Sequence, residues 1–421
     1  MPRRAPLVLL LACAGCATVE VPQVGPGWTA PDAAKPLSRE DCVRLATHDA
    51  PTAAAWRAKL LGAQAAARQA ATIPNPTLSV GWENLGLHDS SVQTTLTLAE
   101  SLAALVQRPG LSAAAEHELA ATRADLLAER AKLAVETLHG YDELLASRRK
   151  AALAAEAVDV ARRLRDASAK FVAVGEKASV EARRGEAEFE KARADEASAA
   201  ADARAKELAF AFALGFDQPV PLTLRDGFRV APEAPAESDL LAAAQSRPEV
   251  VASRERVAAQ LERARLSARR LQFLPTVGGG PRREGEDNSA VVSLDVELPI
   301  FDRGDAAADS ASAELLAAAA GVRRVVRQVG AEVTAARERA AAATAFVRDH
   351  ARPLADARRV LREEFEKLFA AGESSFEDLV VARRDEIEAR TALVEAELAL
   401  SLASTDLAAA TGRLDLPDDA R

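Results

Sequence analysis

Five histidines, His48, His88, His117, His139 and His350, are the first residues to weigh for chemistry, and their scatter argues against it. No pair stands at ligand spacing, and there is no HExxH segment to set a zinc pair beside a general base. Neither a GxSxG elbow nor a GxxxxGK[ST] phosphate loop occurs. The triple glycine at 278–280 lacks the lysine and the following helix that a phosphate loop needs. Acidic pairs in the long helical stretches read as i,i+4 surface pairs. A single methionine rules out a thioether cluster for soft metals. The expectation is a chain with no catalytic centre, no metal site and no cofactor.

The remaining reactive groups are thiols. Arg3 and Arg4 form a basic start, Leu7 to Ala12 a short apolar run, and Cys13-Ala14-Gly15-Cys16 its end. The run is too short to span a bilayer and reads as a cleaved signal. Ala14-Gly15-Cys16 resembles the bacterial lipoprotein signal, in which the cysteine is acylated and becomes the mature N-terminus. Cys16 is preferred because Gly and Ala directly precede it, with Cys13 as the second reading and a plain secretory signal as the bland one. Neither cysteine is followed by Asp, so by resemblance to sorted lipoproteins the address is the outer membrane. Cys42 is then a lone thiol, best read as a small buried hydrophobe.

The elements that position these residues come from a chain of 421 residues dominated by Ala, Arg, Glu and Leu, with 4% aromatics. Such a composition points to long helices packed as coiled coils. The net charge of −9 is spread over 54 basic and 63 acidic residues. That interspersion fits solvated helix faces and excludes the basic stripe of a nucleic-acid surface. The chain is also written twice. Pro51, Gly175, Glu181 and Gly215 recur 197 positions later as Pro248, Gly372, Asp378 and Gly412, and NPTLSVG around Pro76 recurs as LPTVGGG around Pro275.

The expected layout is a signal at 1–16, a Pro/Gly-rich linker at 17–37, a first repeat at 38–216, a connector at 217–236, a second repeat at 237–414 and a tail at 415–421. Each repeat reads helix, strand, strand, long helix, turn, helix. Strands are expected at about 77–83, 91–98, 275–281 and 290–300. After Pro109 the pattern is helical to about Val174, roughly 95 Å at 1.5 Å per residue. In the last helix Ala389, Leu393, Ala396, Leu400, Ala403, Leu407 and Ala410 follow a 4,3 rhythm whose alternating small residues let helices approach closely.

Strands with one apolar and one polar face either cover a helical core or form part of a transmembrane barrel. Four strands cannot close a barrel, since the smallest have eight, and open edges are not tolerated in lipid. If these strands span a membrane, several subunits must pool them in a ring. The polar-face candidates for a lumen are Gln93, Thr95, Thr97, Ser293, Asp295 and Glu297.

The strings NPTLSV, RPEVVASRERVAAQLERARLSARRLQFLPTV, VSLDVELPIFDRG and AAGESSFEDLVVARRDEIEARTALVEAELALSLASTDLAAATG resemble the outer-membrane efflux protein (TolC) family, over residues 38–414. In length and layout the chain is most similar to the lipoprotein subunits of heavy-metal and cation (RND-type) efflux systems. The resemblance implies a mainly α fold with a small β part. Long antiparallel helical hairpins would form an α-barrel, and four strands per chain would contribute to a trimeric twelve-stranded transmembrane β-barrel. It further implies a homotrimer set in outer-membrane lipid, docking on a periplasmic adaptor (membrane fusion protein) and an inner-membrane pump. Such a channel is a passive conduit for cations, heavy metals or small toxic compounds. A periplasmic coiled-coil adaptor or scaffold without a pore is the alternative; it explains the helices and leaves the paired strands without a role.

By the same resemblance, Gly175, Ser179, Gly372 and Ser375 mark helix-turn-helix tips that meet the adaptor. Glu181, Arg183, Asp378 and Arg383 are candidates for a periplasmic gate. Two features depart from the family pattern: VGGGPRREG is a weak lipid-facing strand, and aromatic girdles are nearly absent, with Trp82 the main interfacial candidate.

Overall fold

The computed structural model describes residues 35–49, 51–85, 91–174, 178–216, 218–229, 240, 242 and 244–414. The signal with Cys13 and Cys16, most of the linker, Gly175, His88, the rest of the connector and the tail lie outside the described residues. The chain is mainly helical with one four-stranded antiparallel sheet.

Helix α1 (Arg39–Arg44) opens on a capping box: Ser38 Oγ accepts the Asp41 N–H, and Asp41 Oδ2 accepts the Ser38 N–H. A π turn (Leu45–Asp49) follows, and Pro51 opens α2 (Pro51–Ala71) at its first residue, where a missing N–H costs nothing. Strands β1 (Thr77–Glu83) and β2 (Gln93–Ser101) then lead into α3 (Leu102–Ala173), which returns as α4 (Ser179–Ala213). The second repeat runs α5 (Pro248–Ala268), β3 (Thr276–Glu284), β4 (Asp287–Asp295), α6 (Asp305–Phe346), a π turn (Val347–Ala351), α7 (Arg352–Ala370) and α8 (Phe376–Ala410).

Helix α3 begins earlier than its sequence suggests and carries Pro109 inside it. Ser101 caps its start, its Oγ accepting the Ala104 N–H at 3.4 Å. Pro109 costs the helix one backbone bond, and at the next residue the packing is close: a Cβ on Gly110 would stand 2.7 Å from Leu266 Cδ2 of α5. At 72 residues α3 is about 108 Å long, and α2, α4, α5 and α8 all pack on it. Small residues make the tight crossings. A Cβ on Gly140 would meet the Phe210 ring at 2.8 Å, and one on Gly185 the Arg165 Cα at 3.1 Å.

Two main cores form, one per repeat. The first gathers Cys42, Tyr141, Leu144, Phe210 and Leu214; the second gathers Val250, Val333, Ala340, Ala403 and Leu407. Of the 4,3 positions in α8, Leu393 is partly buried and the other six are buried.

Sheet order is β1-β2-β3-β4, so the central ladder joins the two repeats. Three strands have limits that differ from the sequence reading. β2 ends at Ser101 rather than 98, because Ser101 still pairs with Thr276. β3 runs to Glu284 rather than 281 despite three glycines and Pro281, since both neighbouring strands hold it. β4 spans 287–295 rather than 290–300: its partner β3 begins at Thr276, opposite Asp295, so Val296 to Ile300 have no ladder to join.

Candidate functional site

The register divides the sheet into two chemically different faces. Leu78↔Leu98, Val80↔Leu96 and Trp82↔Thr94 share one face, which continues through Gly279↔Val292 and Val277↔Leu294. On the other face lie Ser79↔Thr97, Gly81↔Thr95 and Glu83↔Gln93, then Gly278↔Ser293, Arg282↔Ser289 and Thr276↔Asp295. The larger apolar residues of the first face stand out to solvent in the single chain: Leu78 is 61% exposed, Trp82 59% and Val292 81%. Arg283 and Asn288 stand at its Trp82 end and Glu100 beside Val277 at the other; the band between them is apolar and bare, and it is not covering the helical core.

Of the lumen candidates, Gln93, Thr95, Thr97, Ser293 and Asp295 therefore share the polar face, whereas Glu297 lies past the end of β4. Sequence reading missed Glu83 and Arg282 on that face, an ion pair at 3.4 Å across the sheet. Gly278 is pressed there among Ser293, Thr97 and Ala99, and a Cβ on Gly280 would stand 1.9 Å from the Leu96 carbonyl oxygen. Among the described residues the outer edges of β1 and β4 remain unpaired.

At the far end of the helices, α7 stops in a Schellman turn. Gly372, at φ +77°, donates its N–H to the Phe369 carbonyl at 3.1 Å, and Glu373 donates to Leu368 at 2.9 Å. The same turn ends α4 at Gly215 and α8 at Gly412. Three residues on, Ser375 caps α8: its Oγ accepts the Asp378 N–H at 3.1 Å and donates to Asp378 Oδ2 at 2.6 Å. Those bonds hold the Asp378 carboxyl below its usual range. Ser179 is the first residue of α4, which starts without a side-chain cap. Beside the α7–α8 turn, Phe171, Phe369 and Phe376 line a groove of about 430 Å³ with Leu164.

The four gate candidates do not pair with one another in this chain. Glu181 pairs with Arg184 at 3.6 Å, Asp378 is taken by its cap, and Arg183 is exposed. Arg383 donates to Glu366 at 2.6 Å, and Glu366 also receives Arg362 at 2.8 Å. Slight burial would raise the Glu366 carboxyl, but these two guanidinium groups hold it below its ordinary value.

A buried polar clamp went unseen in the sequence. Asp142, fully buried in α3, accepts from the Arg39 guanidinium on Oδ1 and from Ser401 Oγ on Oδ2 at 2.6 Å. Burial pushes its pKa up, and the Ser401 and Arg39 contacts only partly offset this. Tyr141 accepts the Asp226 N–H at 2.8 Å, and Arg39 stacks on its ring at 4.7 Å. The clamp thus ties α1, α3, α8 and the inter-repeat segment together. The one available signal was the sole tyrosine, standing next to an aspartate in an Ala-rich helix. Among the described residues no group of His, Cys, Asp and Glu could hold a metal ion, and no helix is long and apolar enough to cross a membrane.

No protein-family model matches the sequence. The cobalt-zinc-cadmium resistance protein CzcC of Cupriavidus metallidurans is 26% identical over 278 residues, and the match spans 65% of this chain and 65% of CzcC. Among solved structures, the CmeC outer membrane channel of Campylobacter jejuni superposes with a TM-score of 0.72 at 16% identity, covering 89% of this chain and 85% of CmeC. The open state of the MtrE outer membrane channel of Neisseria gonorrhoeae gives a TM-score of 0.70 at 18% identity, covering 89% and 88%. The chain has the fold of these outer-membrane channels, the fold of the efflux protein family that its sequence resembles.

Proposed function

We propose that this chain is the outer-membrane channel subunit of a tripartite efflux system. The observation that carries the reading is the two-faced sheet with both edges open. Its bare apolar face suits lipid, its polar face suits water, and its unpaired edges must be closed by other copies before it can sit in a membrane. Three copies supply twelve strands. The protein is then a homotrimer whose helical hairpins extend the lumen through the periplasm as a passive conduit without a catalytic step. Cys16, or Cys13, carries the lipid anchor. The Gly372 and Ser375 turn, with Gly175 and Ser179, meets a periplasmic adaptor coupled to an inner-membrane RND-type pump. Glu181, Arg183, Asp378 and Arg383 lie near those tips and are assigned to the gate, where their partners would come from neighbouring subunits. The likeness to a cobalt-zinc-cadmium resistance protein supports metal cations as cargo, and small toxic compounds are the other class. Because charge is screened within about 8–10 Å at physiological salt, a wide polar lumen leaves selection of cargo to the pump. A periplasmic adaptor or scaffold would leave the sheet without a role.

Membrane fractionation with cross-linking tests the assignment. A trimer in the outer-membrane fraction is expected, and a soluble periplasmic monomer would refute it. Gly372→Trp should abolish export and adaptor co-purification while the trimer persists; unchanged metal tolerance and co-purification would remove the tip assignment.

A further inference from the structure

Where α3, the inter-repeat segment, the π turn at 347–351 and α8 meet, a half-open groove of about 360 Å³ sets four arginines around an apolar floor. The floor is Phe228, Val347 and Leu400. Arg149 lies over the Phe228 ring at 4.5 Å. Arg149 and Arg352 share one carboxylate, Glu397, at 3.3 and 3.4 Å. Those distances are longer than the roughly 2.7–2.9 Å of a well-made guanidinium–carboxylate bond. Arg348 is held two-pronged by Asp349 at 2.7 and 2.8 Å. Arg229 is fixed by its backbone N–H, which donates to Ser401 Oγ at 3.0 Å, and its guanidinium has no partner among the described residues.

Four cations against Glu397 and Asp349 leave a local charge of +2 (4 − 2) on a chain whose net charge is −9. Nothing in the fold demands this. The position equivalent to Val347 by the 197-residue offset is Lys150, where α3 runs on as unbroken helix. The π turn at 347–351 thus has no counterpart at the equivalent place in the first repeat, whose own π turn lies elsewhere, at Leu45–Asp49, and single π turns concentrate at functional sites. Guanidinium forks match carboxylate and phosphate oxygens two at a time, while the Phe228 floor offers contact to carbon.

We propose that this groove binds a small organic anion carrying two carboxylate or phosphate groups and an apolar portion. One acidic group replaces Glu397 between Arg149 and Arg352, the other meets Arg229, and the apolar part rests on Phe228. Binding joins the π turn to the inter-repeat segment, and it does not depend on the channel assignment.

The full-length protein in detergent, at low ionic strength, is titrated calorimetrically with phthalate, pyrophosphate and benzoate. Phthalate is expected to saturate with a Kd of about 1 mM or below, with pyrophosphate weaker and benzoate weaker by about tenfold. Arg229→Gln should weaken phthalate about tenfold, and Glu397→Gln, which removes the competing carboxylate, should tighten it. Arg193→Gln, on the exposed face of α4, should change nothing, and melting curves establish that each variant is folded. Absence of saturable binding overturns the proposal. So does equal weakening by Arg193→Gln and Arg229→Gln, which would mean diffuse charge attraction. Pyrophosphate binding as tight as phthalate overturns the apolar part of the assignment.

Discussion

Replacing Gly280 by alanine should break the sheet at its centre. A Cβ there would stand 1.9 Å from the Leu96 carbonyl oxygen and 3.4 Å from the Thr97 Cα, both backbone atoms that cannot rotate away. Since real Cβ contacts stay above 3.0 Å, β3 must retreat from β2 by at least 1.1 Å (3.0 − 1.9). Such a displacement forfeits about two ladder hydrogen bonds at about 1 kcal/mol each and adds about 1 kcal/mol or more of overpacking strain. The expected loss is about 3 kcal/mol. Two other glycines calibrate the effect. At Gly279 the nearest atom is 3.3 Å away, the Val291 carbonyl oxygen, so alanine should cost less than about 1 kcal/mol. At Gly81 nothing lies within 4 Å, and alanine should be neutral or slightly stabilising. Trp82 on β1 reports the sheet if Trp28 and Trp56 are replaced by Phe, and denaturant titration of its fluorescence in detergent gives the three stabilities. Equal stability of Gly280→Ala and Gly81→Ala would refute the argument, because it would mean that β3 and β2 are not in the close approach described.

Asp142→Ala strands the Arg39 guanidinium and the Ser401 hydroxyl in a buried site and should cost about 3–5 kcal/mol; thermal unfolding followed by helical circular dichroism measures it. His139 faces Asp406 of α8 at 3.1 Å, off the line of a straight hydrogen bond, with Asp142 and Glu143 on its own helix and Arg339 of α6 bound to Asp406. Asp406 holds the His139 pKa above its ordinary value against the opposing effect of burial. That stabilisation is complete below about pH 6.5 and fades as pH rises through the higher folded-state pKa, so melting temperature should fall over that window and His139→Gln should flatten the fall. Burial pushes the Cys42 thiol up to about 12, so maleimide at neutral pH should label Cys42 only after denaturation.

The fold was legible where period and punctuation were strong. Glycines at 372 and 412 and the Ser375–Asp378 pair announce helix ends because each has a local backbone reason to be there. Alternation in β1 and β2 identified the two faces because side chains change sides at every residue. The end of β4 was not legible, since alternation continues through Val296 and Leu298 while the partner strand stops. Hydrophobicity alone does not tell which face of α5 is buried: Ala252 and Ala259 are buried while Leu261 and Ala268 are exposed, because α5 packs on both α3 and α6 and its small residues take the close contacts. The Arg39–Asp142–Ser401 clamp joins residues 103 and 259 positions apart, and no local pattern encodes such a meeting.

The central ladder sets an order of events in time. Its paired residues come from opposite halves of the chain: Leu98 meets Gly279, a separation of 181 residues (279 − 98). Each hairpin can close on its own within microseconds, whereas the β2–β3 seam carries a long-loop entropy cost and waits until the second repeat exists. A chain of which only the first repeat has emerged beyond the inner membrane can therefore make half a sheet at most, with two bare edges. Such an intermediate must be kept from pairing with strangers until the second half arrives.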